Sequence, residues 1–320
     1  MPSVLIYGGG CIGAVATFLT SSAIPPQDIV LVCRSNFDVV SKDGITINST
    51  LWGSGLVVKP TVVRSIHDAS KLGKQFDYVF ITTKATTKKE DIQAMVSIIA
   101  PHTSLVLMQN GIAIEQPFHE MFPTNPILSV VLYTPVAQTS PGVFSHALSA
   151  RLLLGTYPAS APEGHKTSAE KLKDLLQTGG ASVTHEADIQ VSRWKKILIN
   201  ASENPICALC RLPDATFFQS APGAIQFMRD VMEEIARTAR ASGCTEIDDD
   251  VIQQQLDFLT IRELPGVVPS MMADALSGRE MEVDALIGNV VDIAAENGVE
   301  TPRLSTLYYL IRGLNCSFRT

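Results

Sequence analysis

The 320-residue chain is 46% hydrophobic and 18% charged, the balance of a folded globular protein, and its length suggests two domains. A formal net charge of −7 argues against a nucleic-acid footprint, which would need a basic face. The chain holds no run of about 18 uncharged apolar residues for a membrane span and no basic leader for secretion, so a cytoplasmic protein with six reduced cysteines is expected.

The first predicted element is a short apolar strand, Val4-Leu5-Ile6-Tyr7, which runs into Gly8-Gly9-Gly10-Cys11-Ile12-Gly13 and then into helix-compatible Ala14 to Leu19. Strand, Gly-x-Gly-x-x-Gly and helix in that order are the signature of a dinucleotide-binding turn. Gly8 permits the tight turn, Gly10 lets backbone approach a pyrophosphate, and Gly13 lets helix pack on sheet. The helix-start amides then favour phosphate. The whole stretch, with Gly9, Cys11 and Ile12, is the expected cofactor loop. Ile29 to Cys33 is a second buried strand with Arg34 just beyond it, while Asp28 lies at the wrong end to grip a ribose 2′-hydroxyl. An arginine there suits the 2′-phosphate of NADP.

Short strands are expected at Gly44–Ile47, Leu56–Val58 and Val62–Val63, then a buried one at Asp77–Thr83 ending in Lys84. Apolar Ile92, Met95, Val96 and Ile99 mark a helix over 88–99, and Ser104–Met108 is the next strand, ending in Gln109-Asn110-Gly111. Such alternation implies a parallel sheet whose ligands gather beyond its carboxyl ends, where Gly8, Arg34, Lys84 and Asn110 all fall. Between Ile127 and Tyr157 three strands follow without intervening helices, which suggests antiparallel additions to the sheet. A helix over 167–177 and a last strand at Ser182–Thr184 complete this part. From there the pattern is helical, over about 188–210, 220–242, 249–260, 271–297 and 302–313. The fold class is therefore α/β, with a dinucleotide-binding domain over 1–187 and an all-helical domain over 188–320.

In the helical part Lys196, Asn200 and Asn204 are spaced four apart and share one helical face, with Pro205 expected to kink or end that helix. One ammonium and two carboxamides among apolar neighbours need polar partners, which a substrate would supply. A second cluster combines Ser270 with Glu282 and Asp284, two residues apart, so that only one acid can point into a site. Cys207-Ala208-Leu209-Cys210 lacks the second pair or histidine of a zinc site, and the six histidines stand singly, so no metal is expected.

These residues together resemble the ketopantoate reductase (2-dehydropantoate 2-reductase) family over nearly the whole chain. The resemblance rests on Gly8 to Gly13, Arg34, Thr83-Lys84, Gln109-Asn110-Gly111, Trp194-Lys195-Lys196, Asn200, Asn204-Pro205, Pro269-Ser270-Met271-Met272 and Arg279 to Asp284. It implies an NADPH-binding Rossmann domain, a helical domain, and reduction of a 2-keto acid, first of all 2-dehydropantoate to (R)-pantoate in pantothenate biosynthesis. It implies Lys196 as general acid and Glu282 as the acid bonded to the substrate hydroxyl. Asn110, Asn200, Asn204 and Ser270 would bind substrate, and Lys84 and Asn110 would lie near the nicotinamide. A homodimer is compatible with it, and nucleic acid or membrane partners are not expected. Asp214 departs from an asparagine common in relatives, Glu203 adds a charge beside Asn204, and Ala85-Thr86-Thr87-Lys88 after Lys84 lacks a usual glutamine. These departures keep two alternatives open: a paralogue reducing another ketone or an imine, and a non-catalytic NADPH-sensing protein.

Overall fold

The computed structural model describes residues 2–86 and 88–319, so Thr87 of the departing segment lies outside the described residues. The chain divides into two compact units. One comprises the residues up to Asn110 together with Ile114–Ile189, and the other comprises Gly111–Ala113 and the chain from Gln190 onward.

Among its described residues the first unit is built on twelve strands: β1 (Val4–Tyr7), β2 (Ile29–Val32), β3 (Ile45–Ser49), β4 (Gly53–Val58), β5 (Thr61–Val63), β6 (Tyr78–Ile81), β7 (Ser104–Leu107), β8 (Ile127–Tyr133), β9 (Val136–Ser140), β10 (Val143–His146), β11 (Arg151–Tyr157) and β12 (Ser182–His185). Eight of them form one sheet in the order β12-β11-β8-β7-β6-β1-β2-β5. β2, β6 and β7 are buried at every position, which is what helices covering both faces of a parallel sheet require. From β1 the chain builds outward through β2 to β5, then returns to β1's other side with β6 and β7. The order reverses at β1, so the glycine turn leaves the sheet at its topological switch point.

The expected run of antiparallel additions needs correction. β8 joins β7 in parallel, β11 alone runs antiparallel to β8, and β12 is parallel to β11. β10 leaves that sheet altogether and pairs with β3 in a second one, ordered β4-β3-β10-β9. The small sheet closes over the helix Cys11–Ser21, where Trp52 stacks between Phe18 at 4.6 Å and His146 at 4.2 Å. Alternating burial in β3 reflects this one-sided packing.

The second unit is helical, with a core of Trp194, Leu198, Met228, Ile235 and Ile287 among others. Two long helices expected from periodicity are broken. The first runs Ile189–Asn200, stops at Ala201-Ser202, and restarts as Glu203–Cys210. Pro205 is thus the third residue of a new helix, where its missing amide has no intrahelical acceptor to lose. The stretch expected as 271–297 divides into Ser270–Leu276, a π-turn at Asp284–Gly288 and Asn289–Glu296, with Gly278 at φ +61° in the break. Helix Asp249–Thr260 has the bounds its periodicity predicts. The segment Gly111–Ala113 belongs here because Ile112 donates to the Ala285 carbonyl in the π-turn (3.1 Å) and accepts from Asn289 Nδ2 (2.7 Å).

Candidate active site

In the first unit the predicted cofactor residues all stand at carboxyl ends of parallel strands. Gly8 follows β1, Arg34 follows β2, Lys84 follows β6 and Asn110 follows β7. Gly8 sits at φ +125°, with Thr82 Oγ1 2.9 Å from where a Cβ would project, and Thr82 ties the turn by donating to the Gly8 carbonyl at 2.9 Å. A Cβ on Gly13 would collide with that same carbonyl, and one on Gly9 would meet Cys33. Gly10 differs: it is exposed, at an ordinary φ of −89°, and a Cβ there would meet nothing of the chain. The fold therefore explains three of the four glycines, and the fourth faces open space at the start of the helix Cys11–Ser21.

That helix has no acidic residue in its first turn and no side-chain cap, so its positive dipole end suits an anion. Cys11 and Ile12 are partly buried against the sheet core. Arg34 is exposed. Asn36, buried, donates to the Gly9 carbonyl (3.1 Å) and fixes the outer side of the loop. Gln109 does the same between β6 and β7. Its amide nitrogen donates to the Thr83 carbonyl at 2.9 Å and the Lys84 carbonyl at 3.2 Å, so the backbone that carries Lys84 is held from the strand that carries Asn110. A phosphate-bearing dinucleotide fits these residues.

In the second unit Lys196 is half-buried on the helix Ile189–Asn200. Burial pushes its ammonium down to about 7, the Arg193 guanidinium pushes the same way, and Glu282 opposes both. Arg193 lies one helical turn before Lys196, is buried, and donates to the Gly111 carbonyl at 3.0 Å. Sequence reasoning passed over it, although its i−3 spacing from Lys196 was the available signal. Of the two competing acids, Asp284 turns to the surface, where Arg312 Nη1 (2.9 Å) and the Tyr308 hydroxyl (3.1 Å) donate to it. Glu282, half-buried just before the π-turn, is the one that acts on Lys196.

The helix break leaves the asparagine face intact. Asn204 Nδ2 reaches Asn200 Oδ1 at 3.5 Å, and Asn204 Oδ1 accepts from the Ser270 hydroxyl (3.3 Å) and the Met271 amide (3.0 Å). Asn204 is buried and Ser270 exposed, so Asn204 anchors the start of the helix Ser270–Leu276 and presents the serine. Asp214, which the sequence leaves as a charge that could repel an anion, is fully buried and turned onto Arg262. Its other oxygen accepts from the Ala215 and Val267 amides (2.6 and 2.7 Å). Glu203 also lies on Arg262, at 2.7 Å. Arg262 is 59 and 48 residues from these partners, a separation with no sequence signature. Cys207 is buried and Cys210 exposed, both free thiols.

The profile of the family described as ketopantoate reductase PanE/ApbA matches residues 4–159, and its C-terminal profile matches 188–315. The chain belongs to the ketopantoate reductase family. An uncharacterised protein of Saccharomyces cerevisiae is 28% identical, over 97% of this chain and 93% of its own. The 2-dehydropantoate 2-reductase of Nostoc is 26% identical, over 92% and 90%. The crystal structure of 2-dehydropantoate 2-reductase from Methylococcus capsulatus superposes with a TM-score of 0.85 at 28% identity, covering 99% of this chain and 98% of that one. Ketopantoate reductases are oxidoreductases acting on small keto acids, and the mixed α/β unit followed by a helical unit is their architecture. No helix among the described residues is long and apolar enough to cross a membrane.

Proposed function

We propose that this ketopantoate reductase family member reduces a 2-keto acid to a 2-hydroxy acid with NADPH, and that 2-dehydropantoate, giving (R)-pantoate for pantothenate biosynthesis, is its first substrate. The observation that carries the reading is Lys196. An ammonium brought to about 7 by burial and Arg193, and kept from falling further by Glu282, is poised to give up a proton near neutral pH. A merely structural lysine gains nothing from being so placed, and neither does a site that only binds.

When bound, the nicotinamide would supply a hydride to the keto carbon. Everything else falls to the protein. As negative charge grows on the keto oxygen, Lys196 donates a proton from Nζ and becomes a neutral amine, which water reprotonates. Glu282 accepts a hydrogen bond from the new hydroxyl and holds it toward Lys196. The Asn200 amide nitrogen, held beside Asn204, and the Ser270 hydroxyl, once turned from Asn204 Oδ1, would donate to the substrate carboxylate. In the first unit Gly8 to Gly13 take the pyrophosphate and Arg34 the 2′-phosphate, while Lys84 and Asn110 lie toward the nicotinamide.

NADPH oxidation followed against a panel of 2-keto acids, with 2-dehydropantoate included and NADH in parallel, tests this reading. Turnover of 2-dehydropantoate above the other acids, and of NADPH above NADH, is expected. Preference for another ketone or an imine would move the substrate assignment. Tight NADPH binding without any turnover would replace the enzyme by a sensor.

A further inference from the structure

The two departures in the helical unit, Glu203 and Asp214, are one device. Both carboxyl groups reach the same nitrogen, Arg262 Nη1, Glu203 from 2.7 Å, and their side chains are 6% and 0% exposed. Arg262 itself is only 19% exposed and lies over the Phe258 ring, 4.8 Å from its centroid. One guanidinium cannot neutralise two buried carboxylates at this range, so one acid must keep its proton. The hydrogen bonds say which. Asp214 accepts from Arg262 and from the Ala215 and Val267 amides, all suited to a carboxylate, whereas Glu203 has Arg262 and the neighbouring Asp214 oxygen to which it can donate.

The direction of each titration agrees. Burial, then the bond to Asp214, pushes Glu203 up to about 8. Burial would also raise Asp214, but the bond from Glu203, the Val267 amide and Arg262 outweigh it and hold Asp214 below the usual range. Cys207, one turn along, stays a thiol, chiefly through burial. Gly266, at φ +92°, packs so close that a Cβ on it would run into the Asp214 carboxylate.

The cluster is joined to the substrate-binding pair at both ends. Glu203 precedes Asn204 in the chain. Val267, held by Asp214, lies three residues before Ser270, whose hydroxyl donates to Asn204. We propose that Glu203, Asp214 and Arg262 form a clasp holding a single proton, which fixes the charge on the chain next to Asn204 and so governs the affinity for an anionic substrate. With the proton present the clasp is neutral. When the Glu203 O–H ionises to solvent, the clasp carries one net negative charge on the residue next to Asn204, which aligns Asn200 and Ser270. This inference deepens the reductase reading and rests on it for the anionic character of the substrate.

The test follows KM for the 2-keto acid and for NADPH from about pH 6.5 to about pH 9.5, with side-chain carboxyl 13C NMR on the glutamate-labelled full chain. In the native protein KM for the keto acid should rise about tenfold across that range, the size of one pK unit of charge–charge coupling, while KM for NADPH stays level. Lys196 loses its charge through about 7 in every variant and adds its own rise. Glu203→Gln, which keeps a donor and cannot ionise, should therefore remove only the further rise above about pH 8, and the resonance it removes should titrate near 8 rather than near 4.5. Asp214→Asn is the second variant. With one carboxylate left on Arg262, Glu203 should ionise at lower pH and the rise in KM should move with it. A Glu203 resonance titrating in the ordinary carboxylate range, or a rise above about pH 8 as large in Glu203→Gln as in the native protein, overturns the clasp. Absence of turnover with every keto acid fails the reductase reading instead, and the carbon titration alone then upholds or overturns the clasp.

Discussion

At Gly13 a single methyl group would drive into the Gly8 carbonyl, whereas at Lys196 the backbone is ordinary helix and the side chain carries all the chemistry. The two units build their polar ends from different material. The first uses main chain: amides at the start of Cys11–Ser21, carbonyls pinned by Thr82, Asn36 and Gln109, and glycines forced by packing. The second uses side chains drawn from four segments, with Lys196, Asn204, Ser270 and Glu282 each on a different one. Main-chain construction tolerates little but suits any phosphate-bearing ligand. Side-chain construction can be retuned one residue at a time, and the Glu203–Asp214–Arg262 group is such a retuning.

The sharpest way to break this contrast is Lys196→Ala. Loss of a general acid should lower kcat about 100- to 10,000-fold, about 3–5 kcal/mol of barrier, while NADPH affinity and melting temperature stay near native. Lys195→Ala, about 100° around the helix, is the control and should be mild. The native kcat should also fall as pH rises through about 7, because a donor with a lowered pKa has lost its proton above that point. A kcat flat from neutral to alkaline pH would remove Lys196 from the proton step.

Next in size is Arg34→Ala. A guanidinium–phosphate contact contributes about 1.5–3 kcal/mol, so NADPH should bind roughly ten- to a hundredfold more weakly and NADH almost unchanged. Isothermal titration with both cofactors reads this directly, and equal loss for both would place Arg34 away from the 2′-phosphate. The smallest effect separates the two materials most finely. Gly10→Ala places its methyl in open space, so the fold should keep its melting temperature. A crowded pyrophosphate should still cost about 1 kcal/mol, a roughly fivefold weaker NADPH. Unchanged NADPH affinity would mean that the phosphates do not approach this turn.

How much could be read in advance follows the same division. The glycine turn was legible because strand, turn and helix are contiguous, and Gly8, Gly9 and Gly13 each answer a local steric demand. The Lys196–Asn200–Asn204 face was legible from spacing, even though the helix breaks at Ala201-Ser202, because Asn204 swings back to within 3.5 Å of Asn200. The break itself was hidden, since Pro205 reads as a terminator and proves to be an early residue of the next helix. Short helices at Phe37–Asp43, Ile66–Ser70 and Gln116–Met121 were missed, being too brief to show a period. The second sheet was missed because β3 and β10 meet across about a hundred residues, and pairing at that distance leaves no local pattern. Arg262 was invisible for the same reason, and with it the meaning of Asp214.

The three residues Gly111–Ala113 alter how the molecule can be taken apart. Because they belong to the helical unit while their neighbours on both sides belong to the sheet unit, the chain passes between the units three times, at Asn110, at Ala113 and at Ile189. A fragment beginning at Gln190 therefore lacks Ile112, a buried member of its own core, and leaves the Ala285 carbonyl without its donor. During synthesis the order is reversed: Ile112 emerges long before the π-turn that receives it. The connection from β7 to β8 must wait, unfinished, until nearly the whole chain has been made.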